Sequence, residues 1–431
     1  MRILVIGSGA REHALAARLA SEPGVTLVIC APGNAGIART FRTEALDVLD
    51  TAAVIRLVEQ ERIDLTVVGP EAPLANGLVD RFQQDGRAIF GPTKAAAQLE
   101  TSKAFAKDFM RRHAVPTANY RVCTTAEEAL QSIRSGEFGD ALVVKADGLA
   151  AGKGVVVATD RAMAEAAVNA AMVDKTFGAA GASVVLEEML TGPEVSFFVV
   201  ADGEQYVPLL SAQDHKRIFD DDRGPNTGGM GAFSPSPLMT EALQERVERA
   251  IVRPVLKGMA AEGYPFTGFL YCGLMITPEG PKVIEFNVRF GDPEAQVVLP
   301  LLQRPLSNLL RSDRDGTSHH GGSATVDSAA SPTSVAVGVV LAAHGYPGDV
   351  RTGDVIHGLD EVARDCPEVQ IRYAGVKQHG EHLVTAGGRV LTVVATAPTF
   401  AIAIARAYEA ASKIRFDGIQ YRRDIGRKAV V

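Results

Sequence analysis

Residues 141–158, ALVVKADGLAAGKGVVVA, place two lysines, Lys145 and Lys153, around a glycine-rich turn with apolar β-formers on both sides. A P-loop needs GxxxxGK[ST] followed directly by a helix. Here only three residues separate Gly148 from Gly152, Gly154 replaces the hydroxyl that would hold magnesium, and VVVA continues as a strand. The P-loop reading therefore fails on spacing, chemistry and context. What remains is strand, glycine loop, strand. Gly148, Gly152 and Gly154 let backbone amides approach an anion, and the lysines add point charge. On this stretch alone, a phosphate-binding hairpin and an ordinary hairpin with surface lysines stay equally open.

Further along, KVIEFNVRF (282–290) alternates between two faces. Strict alternation puts Val283, Glu285, Asn287 and Arg289 on one face and Ile284, Phe286, Val288 and Phe290 on the other. Oxygen donors such as Glu285 and Asn287 suit magnesium, with nucleotide phosphates as further ligands. The Arg289 fork suits a carboxylate or phosphoryl oxygen. The alternative is a solvent face of a sheet. GDPEAQ follows at once, as expected of a site at a strand end. In VVLEEMLTGPE (184–194), residues Glu187, Glu188, Met189 and Leu190 read either as a connector offering backbone hydrogen bonds to an adenine or as a charged edge strand. Glu194 can accept a ribose hydroxyl.

The flanks set the architecture. RILVIG (2–7), TLVICAPG (26–33), DLTVVGPEAP (64–73) and RAIFGPT (87–93) read as buried strands separated by helical REHALAARLA and AAVIRLVEQERI. This alternation predicts a doubly wound βαβ domain. Thr93 and Ser102 are N-caps for helices over 94–100 and 103–113. Residues 211–237 lose periodicity and read as a long glycine-rich loop, functional or disordered. Residues 311–334 are polar and of low complexity. His319 and His320 there read as surface residues, without acid or Cys partners at ligand spacing. A strand-rich region follows from Val335.

The opening turn VIGSGAREHAL invites a dinucleotide reading, but Glu12 stands at the third glycine of GxGxxG and no acid ends the second strand. The nicotinamide reading fails. A phosphorylated sugar can still sit at such a helix N-terminus, against Gly9, Arg11 and the opening at Glu12. The 431-residue chain has net charge −7, which advertises neither nucleic acid nor membrane binding, and no apolar run reaches 18 residues. Its four scattered cysteines indicate neither a zinc site nor a disulfide framework.

Lys145 with AAGKG, the EEML connector and the IEFN strand together resemble the ATP-grasp fold, in which two α+β lobes grip ATP. GSGAREHAL, APGNAG (31–36), DLTVVGPEAPLANGLVD (64–80), FGPTKAAAQLETSKAFAKDFM (90–110), QDHKRIFDDDRGPNTGGMGAFSP and KVIEFNVRFGDPEAQ narrow this. With GRVL (388–391) and YRRDIGRKA (421–429), they are similar to the phosphoribosylamine–glycine ligase family over nearly the whole chain.

The resemblance implies an α/β and α+β multidomain fold. It consists of an N-terminal doubly wound domain (1–100), a two-lobed ATP-grasp domain (101–312, lid about 120–190), a linker (313–334) and a small strand-rich C-terminal domain (335–431). It implies ATP-dependent joining of glycine to 5-phosphoribosylamine, giving glycinamide ribonucleotide, ADP and phosphate, a carbon–nitrogen ligation early in de novo purine synthesis. Implied nucleotide contacts are Lys103, Lys145, Gly148, Gly152, Lys153, Gly154, Glu187, Glu188, Met189, Leu190 and Glu194. Glu285 and Asn287 would hold Mg2+ or Mn2+. Arg289 and Asp292 would hold glycine, and Lys145, Lys153, Arg289 and Asp292 form the implied catalytic set. Gly9, Arg11, Glu12, Asn34 and Glu71 would hold the phosphoribosylamine. Asp214, Lys216 and the turn Asn226, Thr227, Gly228, Gly229 would close over the substrates. The expected setting is a cytoplasmic monomer or weak dimer with small-molecule partners, no nucleic acid and no membrane. The C-terminal domain is expected as a wall on the nucleotide side. Departures from the family are Ala10 for a usual Gly, Val288 for a usually smaller or Cys residue, and RYAGV (372–376) for HAGT.

Overall fold

The computed structural model describes residues 1–149, 154–311 and 333–430. Gly152 and Lys153 of the glycine loop, and His319 and His320, lie outside the described residues.

The chain opens as a five-stranded parallel sheet in the order Arg42–Thr43, Leu27–Pro32, Arg2–Gly7, Leu65–Val68, Ile89–Phe90. The apolar first strand is central because both faces of the sheet are covered. Leu4 and Ile6 enter one core, Ile3 and Val5 the other. Strand order reverses at Arg2–Gly7, so the carboxyl ends there border a crevice of the kind in which open α/β sheets bind ligands. Ser102 caps Lys103–Arg112 through the Phe105 N–H, as the sequence predicts. The helix expected over 94–100 is only Gln98–Thr101. Asp80 takes the Lys94 N–H at 2.8 Å and holds the preceding residues as turns.

Two antiparallel sheets follow. The first has the order Tyr120–Cys123, Val184–Glu188, Leu142–Ala146, Val155–Ala158 and packs on the helices Ala126–Ser135 and Arg161–Val168. It has its own core, built around Val144, Ala164 and Leu186. The second has the order Gln205–Pro208, Glu194–Asp202, Thr267–Thr277, Gly280–Asn287 and shares the cores of the N-terminal sheet through Phe197 and Phe198. The chain crosses from one sheet to the other through residues 189–193.

The strand Gly280–Asn287 does not alternate strictly. Leu274 faces Val283 and Gly273 faces Glu285, leaving Ile284 as an extra residue in a β-bulge. The bulge re-phases the strand, so Val283, Phe286 and Val288 all enter one core. Val283 therefore does not share the face of Glu285 and Asn287.

Residues 211–237, read from sequence as a loop, are built of short strands: Gln213–Asp214, Arg217–Phe219, Arg223–Asn226 and Gly231–Ser234. Gly231–Ser234 pairs with Val335–Ala342, so this segment extends the C-terminal sheet, whose order is Gln213–Asp214, Gly231–Ser234, Val335–Ala342, Arg389–Ala397, Val369–Tyr373. Periodicity was invisible because these strands are two to four residues long, and one of them, Gly231–Ser234, pairs with residues about a hundred positions further along the chain. The Thr399-capped helix Phe400–Lys413 covers this sheet with Ala403, Ala407, Ala410 and Ala411.

Candidate active site

The first and second antiparallel sheets face each other across a cluster of charge. Lys145 is buried, with Nζ 2.8 Å from Glu187 Oε1 and donating to the Ile284 carbonyl at 2.9 Å. Ile284 is the bulge residue. The irregular backbone thus presents a carbonyl to the lysine. Lys103 Nζ donates to the Gly148 carbonyl at 3.1 Å, and Asp147 ties the hairpin down by accepting from Ala104 N–H at 2.7 Å and Ser183 Oγ at 3.2 Å. Burial lowers the pKa of Lys103.

Lys216 lies 2.7 Å from Glu194 and 3.9 Å from Glu285. Burial pushes the Glu285 carboxyl up, but Lys216, Lys145, Arg289 and Lys103 outweigh it and hold the group below its usual range. Asn287 is buried beside it along the strand. Glu187 is paired on both sides within its sheet, at Tyr120 and Val143, so its carboxylate is what reaches the cluster. Glu188 is held by Asn119, whose backbone and side-chain N–H groups donate to it at 3.0 and 2.9 Å. Backbone outside the sheet begins only at Met189 and Leu190.

A second group of charges sits where the three sheets meet. Arg289 lies 3.0 Å from Glu100 and 3.4 Å from Glu71. Glu100 also accepts the Val288 N–H at 2.7 Å. Asp292 accepts from Gln296 at 2.7 Å and pairs with Arg389 at 3.1 Å. Burial raises and Arg389 and Arg11 lower the Asp292 carboxyl, with lowering the result. Arg389, from the C-terminal sheet, also donates to the carbonyls of Asp292 and Gly228. Gly229 has φ +106°, and a Cβ there would meet Pro293 Cδ at 2.4 Å and Asp214 Oδ1 at 2.8 Å, so only glycine fits this turn. Thr227 Oγ1 donates to the Lys216 carbonyl at 2.8 Å and fixes the turn. Asp214 Oδ1 is buried without a hydrogen-bond partner. Burial and the neighbouring Glu294 push its carboxyl well above the usual range.

At the crevice of the N-terminal sheet, two residues expected to hold the phosphoribosylamine, Glu12 and Asn34, are engaged within the protein. Glu12 is buried and accepts the Gly9 N–H at 2.6 Å. It also fills the space beside Gly7 and Gly69, where an added Cβ would lie 2.4 Å and 2.2 Å from it. The Gly9 amide is therefore already occupied by Glu12. Arg11 donates to Glu12 at 2.6 Å and to the Phe290 carbonyl at 3.3 Å. Asn34 is saturated. Its Nδ2 faces the carbonyls of Ser8 (2.7 Å), Tyr373 (3.1 Å) and Ala374 (3.0 Å), and its Oδ1 accepts from Gly36 and Ile37 at 2.8 Å. It joins the N-terminal loop to the C-terminal region. His13 does the same, accepting the Tyr373 N–H at 3.0 Å and stacking on that ring. Burial, with Arg372, lowers its pKa to about 3, so it stays neutral. The C-terminal region thus contacts the crevice and Asp292.

Residues 1–100, 101–295 and 336–428 match the N, ATP-grasp (A) and C domains of phosphoribosylglycinamide synthetase. The chain belongs to the phosphoribosylglycinamide synthetase family. It is 49% identical to phosphoribosylamine–glycine ligase of Escherichia coli O157:H7, covering 100% of this chain and 99% of that protein. The crystal structure of phosphoribosylamine–glycine ligase from Thermotoga maritima superposes with a TM-score of 0.84 at 34% identity, covering 98% of this chain and 100% of that one. Biotin carboxylase from Campylobacter jejuni shares the fold, with a TM-score of 0.71 at 17% identity over 99% and 94% of the two chains.

Within this family fold, the sequence missed Lys107, Glu100 and Arg389. For Lys107 a signal existed. Positions 103, 106, 107 and 110 form the i, i+3, i+4, i+7 stripe of a helix, and Ala106 and Met110 are buried on it. Two lysines on a core stripe mark a place where charge is held inside the protein. Among the described residues no cluster of three or more His, Cys, Asp or Glu is arranged to hold a metal. Glu285 and Asn287 supply one anionic and one neutral oxygen, which fits a hard divalent cation completed by phosphate oxygens.

Proposed function

We infer that this chain is an ATP-dependent carbon–nitrogen ligase joining glycine to 5-phosphoribosylamine, with glycinamide ribonucleotide, ADP and phosphate as products. The observation that carries the reading is the meeting of Lys103, Lys145 and Lys216 with Glu285 and Asn287 at one cleft. This cleft leads to a second charged group at the crevice of the N-terminal sheet, in a chain alike along its full length to ligases of that name.

In this reading the glycine carboxylate attacks the γ-phosphorus of ATP and ADP leaves. The amine of phosphoribosylamine then attacks the glycyl phosphate, and phosphate leaves as the amine gives up a proton. Such transfers depend on positioning and charge neutralisation. Lys103 and Lys145 offset phosphate charge, as does Lys153. Met189, Leu190 and Glu194 hold the nucleoside. Glu285 and Asn287 would hold Mg2+ or Mn2+, which when bound would supply further positive charge to the phosphates. Arg289, kept in place by Glu100 and Glu71, takes the glycine carboxylate. Asp214 with Asp292 takes its ammonium, and this arriving cation relieves the repulsion between Asp214 and Glu294. Arg11 takes the sugar phosphate. The acyl phosphate and the amine both react with water, so closure by the lid and by the Gly228–Gly229 turn protects them. We place the enzyme in the cytoplasm, as a monomer or weak dimer acting on small molecules.

ADP release with ATP and Mg2+, adding glycine and freshly made phosphoribosylamine separately and together, tests this. ADP and glycinamide ribonucleotide should form only with both. Turnover with a different carboxylate or amine in place of either would overturn the reading.

A further inference from the structure

One buried group of the cleft has no part in the chemistry above. Lys107 is 2% exposed, one helical turn after Lys103. Its Nζ lies 2.9 Å from Glu187 Oε2 and donates to Thr117 Oγ1 at 2.8 Å. Glu187 thus stands between two lysines, with Lys107 on Oε2 and Lys145 on Oε1. Thr117 Oγ1 in turn donates to the Val283 carbonyl at 2.7 Å, and Lys145 donates to the next carbonyl, Ile284. The chain of contacts is closed: Val283, Thr117, Lys107, Glu187, Lys145, Ile284. Both of its ends are consecutive residues at the bulge of the strand that carries Glu285 and Asn287.

We propose that Lys107 is a positioning residue for Lys145, acting through Glu187. Resting on the reading of Lys145 as a phosphate contact, the proposal concerns how that lysine keeps its charge available and its ammonium in place. Two lysines share one carboxylate, so the cluster carries a net positive charge for the nucleotide phosphates. Without Lys107, Glu187 is free to turn both oxygens on Lys145 and neutralise it. The Thr117 link sets the distance between the lid strand and the bulge. Lys107 does not face the crevice where glycine and the sugar phosphate are placed, so its loss acts on ATP alone. The low exposure of all three side chains makes the interaction strong and its loss costly.

The test uses Lys107→Met, Glu187→Gln, their double variant and Lys145→Met, each as the full chain, with KM for ATP and for glycine and kcat measured separately. Removing a partner that orients a ligand-contacting group costs about 10–100-fold. Lys107→Met should therefore lower kcat/KM for ATP by about that factor with KM for glycine unchanged. In the Glu187→Gln background the same substitution should do little more, since the path runs through Glu187. Thr117→Val keeps every charge and removes one bond to Lys107, so it reports the same split at smaller size should Lys107→Met prove insoluble. Equal losses toward ATP and glycine, or multiplying losses in the double variant, overturn the proposal. If Lys145→Met is impaired toward ATP and neither Lys107→Met nor Thr117→Val is, this inference fails and the reading of Lys145 stands. If Lys145→Met is unimpaired, both fail.

Discussion

Asn34→Asp is the sharpest probe of how the C-terminal region is attached. The substitution is isosteric and keeps an oxygen for the Gly36 and Ile37 N–H groups. It replaces the NH2 that serves three carbonyls, at 2.7, 3.1 and 3.0 Å, with a second oxygen. Two donor hydrogens are lost, each worth about 0.5–1.5 kcal/mol net. The new negative charge also faces three carbonyl dipoles. The site is partly open to solvent, which damps the charge effect, so a total of about 2–3 kcal/mol is expected, in the upper part of the range for unsatisfied groups. Over the roughly two hundred residues of the N- and C-terminal regions, this corresponds to a fall in midpoint of several degrees, about 2–4 °C per kcal/mol. The sign with pH follows. The charged form is the one the folded state disfavours, so the introduced carboxyl has a raised folded pKa. The charge part of the penalty is whole above that value, shrinks as pH falls through it, and is gone below the unfolded value of about 3.9, while part of the donor loss remains. Thermal midpoints of parent and variant should therefore differ at pH 8 and converge toward pH 4.5. KM for phosphoribosylamine should change little in protein that remains folded. Equal midpoints with a raised KM would refute the reasoning and return Asn34 to the substrate.

Other expectations concern the cleft and the core. Glu285→Gln should lower turnover about 10²–10³-fold, the scale of removing one group that stabilises transition-state charge, with far-UV CD unchanged; normal turnover at saturating Mg2+ would remove it from the metal site. Gly36→Ala puts a methyl 2.1 Å from Tyr373 Cγ and should cost about 1–3 kcal/mol, read by denaturant midpoint. Burial lowers the Lys107 pKa to about 8 from 10.5, so the folded state holds fewer protons than the unfolded between those values. Stability from this group should therefore rise with pH across that window, and Lys107→Met should flatten the rise relative to the parent. Arg389→Met removes the link from the C-terminal sheet to Asp292 and Gly228. It should raise KM for glycine more than KM for ATP, and an ATP-side effect alone would contradict the placement of this sheet.

Much of the fold was legible because its signals are local. RILVIG and TLVICAP are continuous apolar runs, and they became the central strand and one of its two neighbours. Ser102 announced a helix by its own hydroxyl. The features that escaped are those fixed at long range. Nothing within KVIEFNVRF betrays that Ile284 is an extra residue, because the bulge is defined by the partner strand Thr267–Thr277. Strict alternation therefore misplaced Val283 while still pairing Glu285 with Asn287, both of which follow the bulge. Residues 213–234 looked like a loop in part for the same reason, since Gly231–Ser234 is completed by Val335–Ala342, and in part because the other strands there are only two to four residues long. Glu100 meets Val288 across 188 positions of sequence and Arg389 meets Asp292 across 97, separations at which composition and periodicity carry no information.

The polar residues of the crevice show why a motif alone cannot separate a ligand contact from a strut. Glu12, Asn34 and Asp214 all stand in stretches that the family resemblance marks, and all three are polar groups at the ends of strands or helices. The physical difference lies in what hydrogen-bonding capacity the protein leaves over. Asn34 has every amide atom matched, and Glu12 is enclosed by Gly7, Gly9 and Gly69 with Arg11 on its remaining side. Such groups hold the crevice in shape, and their loss would be felt first as instability. Asp214 is the opposite case: one oxygen is buried and unmatched, and a second acid, Glu294, raises the cost of its charge. A buried polar group left unmatched calls for a partner that completes it. In the reading proposed above, the ammonium of glycine would do so by hydrogen bond and by charge together, with its carboxylate on Arg289.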